Sequence, residues 1–310
     1  MKKIVILTPV FNEKNNIENF IEKINKTLSN IDINYSIYFI DDGSTDGSYE
    51  LLKNITSNND NIYCIRLSRN FGKEVALTAG INELTDEYDA SIILDCDLQH
   101  PPDLVPKMLE KWKNGNKIIW TIRKNINYGF VRSMGSKLFF YIMSKLSKNY
   151  LKPKTTDFVL IDKDVIFELK KFTEKIRFFR GLLSSLGHES EYLYFDAPDR
   201  NSGKSNFNFY SLSSLAVETI SSYTLFPLKL TGFIGILIIF ISLLVFFYML
   251  VSNFFGINYY TSLALVIVFN TFLFGILMSA IGLLGLYIGQ IHYEVKNRPL
   301  YFIADRLGNK

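Results

Sequence analysis

Charge is missing from one long stretch of this 310-residue chain, because no Asp, Glu, Lys or Arg lies between Lys229 and Glu294. Cysteine is scarce as well. Cys64 and Cys96 each sit in an apolar, strand-like run, which excludes a disulfide framework and a cysteine-rich metal cage and fits reduced thiols. His100, His188 and His292 are the only histidines, and they are too dispersed for a zinc site. Neither sign of charge dominates, since 34 Lys and Arg face 30 Asp and Glu. The chain is therefore neither a disordered tail nor a nucleic-acid binder held by a basic surface. The sequence shows no internal repeat and no low-complexity linker. The first apolar run, residues 4–10, ends at Asn12 and Glu13. It is too short for a signal peptide, so the N-terminal half is expected to stay on the cytoplasmic side.

The uncharged stretch divides into two runs, residues 230–251 and 262–291. Each is long enough to cross a hydrocarbon layer of about 30 Å at about 1.5 Å per helical residue. Lys229 precedes the first run, and Lys296 and Arg298 follow the second. The expected arrangement is a C-terminal two-helix transmembrane hairpin with both ends cytoplasmic, hence a multi-pass protein of the cytoplasmic (inner) membrane. Gly275, Gly282, Gly285 and Gly289 in the second run permit close helix contact, which leaves a homo-oligomer open. The expected division is a cytoplasmic domain, residues 1–228, followed by the hairpin and a cytoplasmic tail, residues 229–310. Residues 128–147 and 206–226 are rich in aromatic residues. An amphipathic helix lying at a bilayer interface and a core helix of a larger domain both fit the first of them.

The first half alternates two patterns. Residues 3–10, 35–40, 62–67, 90–94 and 117–122 are rich in Ile, Val, Tyr and Phe and read as strands. Residues 15–28, 47–56, 73–84 and 103–113 place apolar side chains at helical spacing. Such alternation predicts an α/β fold with a mostly parallel sheet, whose ligands bind at the carboxyl ends of the strands. The polar clusters fall at those ends: Asn12-Glu13, then Asp41-Asp42-Gly43-Ser44-Thr45-Asp46, then Asp95-Cys96-Asp97.

Asp95 and Asp97 are hard oxygen donors that can hold Mg²⁺ or Mn²⁺ against a diphosphate. The spacing by itself is more often a solvated turn. Its company alters that balance, because Gln99, His100, Pro101 and Pro102 follow at once and another acidic cluster closes a strand of the same sheet. Acidic groups converging on one sheet edge need a cation or a donor-rich ligand to offset their repulsion. Gly203-Lys204-Ser205 imitates the end of a phosphate-binding P-loop, but Pro198 stands where the first Gly is required, which rules out an NTPase.

These residues resemble the family-two glycosyltransferases, and among them the polyprenyl-phosphate glycosyltransferases that include dolichol-phosphate mannose synthase and the bactoprenol glucosyltransferases. The likeness is carried by Pro9-Val10-Phe11-Asn12-Glu13, the Asp41–Asp46 turn, Arg69-Asn70-Phe71-Gly72-Lys73 with Ala79-Gly80, Asp95 through Pro102, and Thr156-Asp157-Phe158. At the far end it continues through Tyr287-Ile288-Gly289 and Glu294 to Tyr301. The resemblance implies a GT-A-like nucleotide-sugar fold and a metal-dependent, inverting transfer of one sugar from a nucleotide sugar to polyprenyl (undecaprenyl) phosphate at the bilayer. UDP-glucose is the preferred donor; UDP-GlcNAc, GDP-mannose and modified arabinose donors are the alternatives, and the downstream product would be a cell envelope glycan.

By the same resemblance, Pro9, Phe11, Glu13, Asp41, Asp42, Lys73, Asp95 and Gln99 would bind the nucleotide sugar. Asp95, Asp97 and Gln99 would organise the metal, Mg²⁺ or Mn²⁺. Arg123, Arg132, Arg200 and Lys204 would hold the lipid phosphate or the departing diphosphate, with an interfacial cation facing anionic lipid as the alternative role of each. Asp97 and Asp157 would be catalytic. Asp157 is either a base or a group that orients the acceptor phosphate, and a phosphate monoester with its second pKa near 6 scarcely needs a base. A processive polysaccharide synthase would carry a Gln-x-x-Arg-Trp motif, yet neither Trp112 nor Trp120 follows an Arg. A non-catalytic membrane sensor of nucleotide sugars remains the reading from another class.

Overall fold

The computed structural model describes residues 2–124, 154–175, 177–196 and 261–308, with scattered positions between 237 and 256. Arg132, Arg200, Lys204 and the aromatic segments 128–147 and 206–226 lie outside the described residues. The chain divides into two compact units. One is Met1–Asn206 with Arg298–Lys310, and the other is Phe207–Asn297.

The first unit is built on one mixed sheet. Strands β1 (Lys3–Val10), β2 (Asn34–Asp41), β3 (Ile62–Leu67) and β4 (Ala90–Ile93) alternate with helices α1 (Lys14–Leu28), α2 (Ser48–Ser57) and α3 (Lys73–Glu83). A 3₁₀ turn at Pro102–Leu104 leads into α4 (Val105–Lys113), and β5 (Ile118–Arg123), β6 (Thr155–Asp162), α5 (Lys163–Leu169), α6 (Phe179–Ser185) and β7 (Ser190–Phe195) follow. After α7 (Ser262–Val295), β8 (Ile303–Leu307) completes the sheet. The strand order is β7-β5-β6-β4-β1-β2-β3-β8. Strands β3, β2, β1 and β4 are mutually parallel, as the alternation predicts, whereas β6 runs antiparallel to both β4 and β5, and β8 antiparallel to β3.

The central strand shows why these residues make a sheet. Ile4 and Ile6 point to one face and pack with Ile17, Phe20 and Ile24 of α1 and with Met108 and Trp112 of α4. Val5 and Leu7 point to the other face and pack with Ala76 and Leu77 of α3 and with Leu182 and Leu183 of α6. Side chains that alternate faces, all fully buried, require covering layers on both sides. Each such Ile or Leu contributes about 1.5–3 kcal/mol of burial. Gly80 lets α3 lie close on the sheet, because a Cβ there would stand 2.8 Å from the side chains of Ile40 and Leu7.

Since β2 lies on one side of β1 and β4 on the other, the chain reverses its winding direction at β1. The carboxyl ends of β1 and β4 flank the crevice where ligands bind in open α/β sheets.

In the second unit the expected arrangement is overturned. Among the described residues no helix is long and apolar enough to cross a membrane. The transmembrane hairpin is therefore not supported, nor is the multi-pass placement in the cytoplasmic membrane that rested on it. The inference equated an uncharged run with a continuous apolar helix, which is the stronger condition. Among the described residues, α7 carries Asn270, Ser279, Gln290 and His292 along its length. The helix ends where Asn297 takes a left-handed φ of 45°, a conformation Asn tolerates at a C-terminus.

Candidate active site

Two loops at the carboxyl edge are tied to each other by side-chain hydrogen bonds. Asn12, at a left-handed φ of 57°, donates its backbone N–H to Ser44 Oγ at 2.9 Å, and its Oδ1 accepts the Thr45 N–H at 2.8 Å. The Glu13 N–H donates to Ser48 Oγ at 3.1 Å and the Lys14 N–H to Asp46 Oδ2 at 3.1 Å. Phe11 stands exposed at the rim beside them, and Pro9 lies half-buried near the end of β1.

Asp41 and Asp42 are both buried and are occupied within the protein. Asp41 Oδ1 accepts the Ser44 N–H at 3.0 Å, and its Oδ2 lies 3.4 Å from Arg66 Nε. The Asp42 carboxylate accepts the N–H groups of Phe71 at 2.8 Å and Gly72 at 2.9 Å, which fixes the loop leading into α3. Burial pushes both carboxyls above their ordinary pKa, against the opposing effect of these hydrogen bonds. Gly43 allows the loops to touch: its φ is +71°, and a Cβ would meet the Arg69 carbonyl carbon at 2.6 Å.

After β4, Asp95, Cys96 and Asp97 run into Leu98, which holds a φ of 57°, a strained conformation for a branched residue of order 1–3 kcal/mol. Asp97 Oδ1 accepts the Gln99 N–H at 3.1 Å. Gln99 Oε1 accepts from Arg123 at 3.4 Å. His100 is buried, stacked on Phe158 with ring centroids 5.4 Å apart, and its Nδ1 accepts the Asp95 N–H at 3.4 Å. An accepting nitrogen requires the neutral imidazole, and burial pushes the His100 pKa down in agreement. Burial also raises the Glu13 carboxyl, with the nearby charges of Asp97 and Asp95 adding to it.

The centre of the site is Lys73, the first residue of α3. Its Nζ lies 2.7 Å from Asp95 Oδ1, 2.9 Å from Asp95 Oδ2 and 2.9 Å from Asp157 Oδ2. One ammonium thus joins the end of β4 to β6. Burial alone would lower the Lys73 pKa, but the two carboxylates outweigh it and hold it above its ordinary value. Asp157 is also contacted by Arg180 of α6, whose Nε is 3.0 Å from Oδ1. Burial opposes ionisation there, yet Lys73 and then Arg180 hold the Asp157 carboxyl well below the usual carboxylate range. Arg180 is fixed in turn by donating to the Thr155 carbonyl at 2.8 Å.

Next to Lys73, Glu74 accepts the Phe179 N–H at the start of α6 at 2.7 Å. Its pKa is pushed up to about 7, chiefly by burial and then by the charge of Asp157. Of the residues singled out in the sequence, Asp95, Lys73 and Asp157 come into direct contact, and Gln99 meets Arg123. Asp41 and Asp42 brace the loops behind them. Arg180 and Glu74 were not singled out, since they belong to none of the motifs and only the packing of α6 against α3 brings them in.

A mixed sheet whose parallel strands reverse their winding at β1, acidic residues at the carboxyl ends of β1, β2 and β4, and a lysine that links Asp95 to Asp157 of β6 lay out an α/β ligand site at one sheet edge. The Glycosyl transferase family 2 model matches residues 5–172, and the chain belongs to that family. It is a glycosyltransferase. An uncharacterized glycosyltransferase of Synechocystis is 32% identical over 310 residues, covering 99% of this chain and 96% of that one. The bactoprenol glucosyl transferase of Shigella phage SfX is 32% identical, with coverage of 98% and 99%, and the prophage-derived bactoprenol glucosyl transferase of Shigella flexneri is 33% identical, with 97% of each chain covered. Among solved structures, glucosyl-3-phosphoglycerate synthase from Mycobacterium tuberculosis with Mn²⁺, UDP and glucosyl-3-phosphoglycerate aligns at 17% identity over 71% of this chain and 78% of that one, with a TM-score of 0.49. A likeness at that level assigns no residue.

Proposed function

We propose that this glycosyltransferase moves a single sugar from a nucleotide sugar, UDP-glucose by preference, to polyprenyl phosphate. The observation that carries the proposal is the Lys73 junction, where a carboxylate at the nucleotide edge, Asp95, and one on β6, Asp157, share one ammonium. A donor diphosphate and an acceptor phosphate on the two sides of that lysine would set an acceptor oxygen toward the anomeric carbon of the sugar, whose bond to the leaving nucleoside diphosphate breaks as the new one forms. The near full-length similarity to proteins named bactoprenol glucosyl transferase favours a lipid phosphate as acceptor and glucose as the sugar.

Asp95 and Asp97 suit a divalent cation. Among the described residues Asp97 has no cationic partner and accepts only the Gln99 N–H, and its charge acts on the neighbouring Glu13 carboxyl, which burial chiefly raises. No group of three His, Cys, Asp or Glu among the described residues could hold a metal unaided, and a cation completed by donor phosphates needs only one or two carboxylates. Mg²⁺ or Mn²⁺ held there, with Gln99 beside it, would neutralise the leaving nucleoside diphosphate.

Phe11, Pro9 and Glu13 face the nucleotide, and Asp41 and Asp42 act on it from behind by fixing the loops. Arg123 keeps Gln99 aimed into the site. Asp157, held ionised by Lys73 and Arg180, is a weak base and orients the acceptor through those cations. Arg132, Arg200 and Lys204 are the further candidates for the acceptor phosphate. A single in-line displacement would invert the anomeric carbon.

The test is transfer of radiolabel from a panel of UDP- and GDP-sugars to undecaprenyl phosphate by the purified chain, read in the organic phase. Transfer from UDP-glucose that stops in chelator and in Asp97→Ala is expected. Label that never enters the organic phase from any donor refutes the acceptor, and transfer by Asp97→Ala in chelator refutes the cation.

A further inference from the structure

We infer that Lys73 is a placeholder cation, whose ammonium neutralises Asp95 until a divalent ion takes its place and then swings onto Asp157. The inference rests on the metal-dependent reading above and adds to it an order of events. Lys73 Nζ approaches both oxygens of Asp95, at 2.7 and 2.9 Å, and so covers the face by which that carboxylate would chelate a metal. Asp97, two residues on, has no such partner among the described residues. A divalent ion shared by Asp95 and Asp97 would stand against the ammonium, and like charges in contact exclude one another.

The displaced lysine has a place to go. Asp157 Oδ2 already lies 2.9 Å from Nζ, and Arg180 holds the other oxygen of that carboxylate. Lysine suits the exchange because its charge is a compact point on a flexible four-carbon stem. Its backbone is anchored, since the preceding Gly72 donates its N–H to Asp42 at 2.9 Å. The ammonium therefore moves about a fixed pivot, and once off Asp95 it is available to phosphate oxygens beside Asp157. Pairing of Lys73 with Asp95 and binding of a cation are then mutually exclusive, so the apparent affinity for the bare ion is reduced by the fraction of molecules in which Asp95 is free.

Mn²⁺ binding to the purified full chain without nucleotide, followed by the electron paramagnetic resonance of the free ion, tests this directly. Lys73→Gln should bind Mn²⁺ roughly tenfold more tightly than the wild type, and Lys73→Arg, which keeps a cation on Asp95, should not. Asp157→Asn removes the alternative partner, leaves the ammonium to Asp95 alone, and should weaken Mn²⁺ binding several-fold. This second variant decides the matter if Lys73→Gln does not melt cooperatively. Binding by Lys73→Gln no tighter than wild type, or binding by Asp157→Asn as tight as wild type, overturns the placeholder; if Asp97→Asn still loses Mn²⁺ in that case, the metal site itself stands. Absence of Mn²⁺ binding by every form even with UDP present defeats both.

Discussion

Replacing Glu74 by Gln should stabilise the protein above neutral pH while leaving it little changed in acid. Glu74 is half-buried, and its carboxyl titrates at about 7 instead of near 4.5, chiefly because burial penalises the charge and Asp157 repels it. Between those two values the folded protein keeps a proton that the unfolded chain has released, so stability falls as pH rises through that window. At about 1.36 kcal/mol per pKa unit the full loss is roughly 3 kcal/mol above pH 7, and under about 1 kcal/mol at pH 5.

The Gln side chain still offers an oxygen to the Phe179 N–H but cannot ionise. The expected net result is a Gln variant about 3 kcal/mol more stable than wild type at pH 8 and within about 1 kcal/mol of it at pH 5. Urea unfolding of the purified chain at the two pH values measures it. A stability difference that is the same at both, or a variant less stable at pH 8, would refute the view that a buried, repelled carboxylate occupies this position.

Asp42→Ala leaves the Phe71 and Gly72 N–H groups without their acceptor and should cost about 2–6 kcal/mol at about 1–3 kcal/mol per orphaned donor. Asp42→Asn, which keeps one acceptor oxygen, should lose less, and equal urea midpoints for the two variants would contradict the bracing role. Asp157→Asn should lower turnover at every pH and raise the KM for polyprenyl phosphate, since it removes the charge that Lys73 and Arg180 are set around. A loss confined to below about pH 6, with acceptor affinity intact, would instead mark Asp157 as a proton acceptor.

The parallel centre of the fold was legible because β1 to β4 are predominantly apolar runs separated by helical segments, two of which, α1 and α2, bury apolar residues at helical spacing, a local pattern that needs no knowledge of partners. Helix α1 illustrates it: Ile17, Phe20, Ile24 and Leu28 recur at helical spacing and all are buried. Strands β6 and β7 escaped notice because they follow a segment without that alternation, and their pairing with β4 and β5 joins residues far apart in sequence. The membrane hairpin was read from charge alone, and lack of charge does not measure the length of an apolar helix. In the site, the carboxylates announced themselves in short motifs, whereas Arg180 and Glu74 did not. Their function depends on α6 docking against α3, which no spacing in the sequence encodes.

Strand β8 shows the same limit from the other end of the chain. Ile303–Leu307 pairs with β3 and covers what would otherwise be an exposed edge of the sheet. It also bears on the nucleotide loops. Asp305 stands opposite Arg66 in the strand register and accepts a hydrogen bond from the Tyr49 hydroxyl. Arg66 lies over the Tyr49 ring at 4.1 Å and reaches Asp41 at 3.4 Å. A fully buried carboxylate such as Asp41 is costly unless paired, and its only cationic neighbour among the described residues is an arginine that β8 and α2 hold in position. The C-terminal strand therefore contributes to the turn after β2 through Arg66, although it follows that turn by most of the length of the chain.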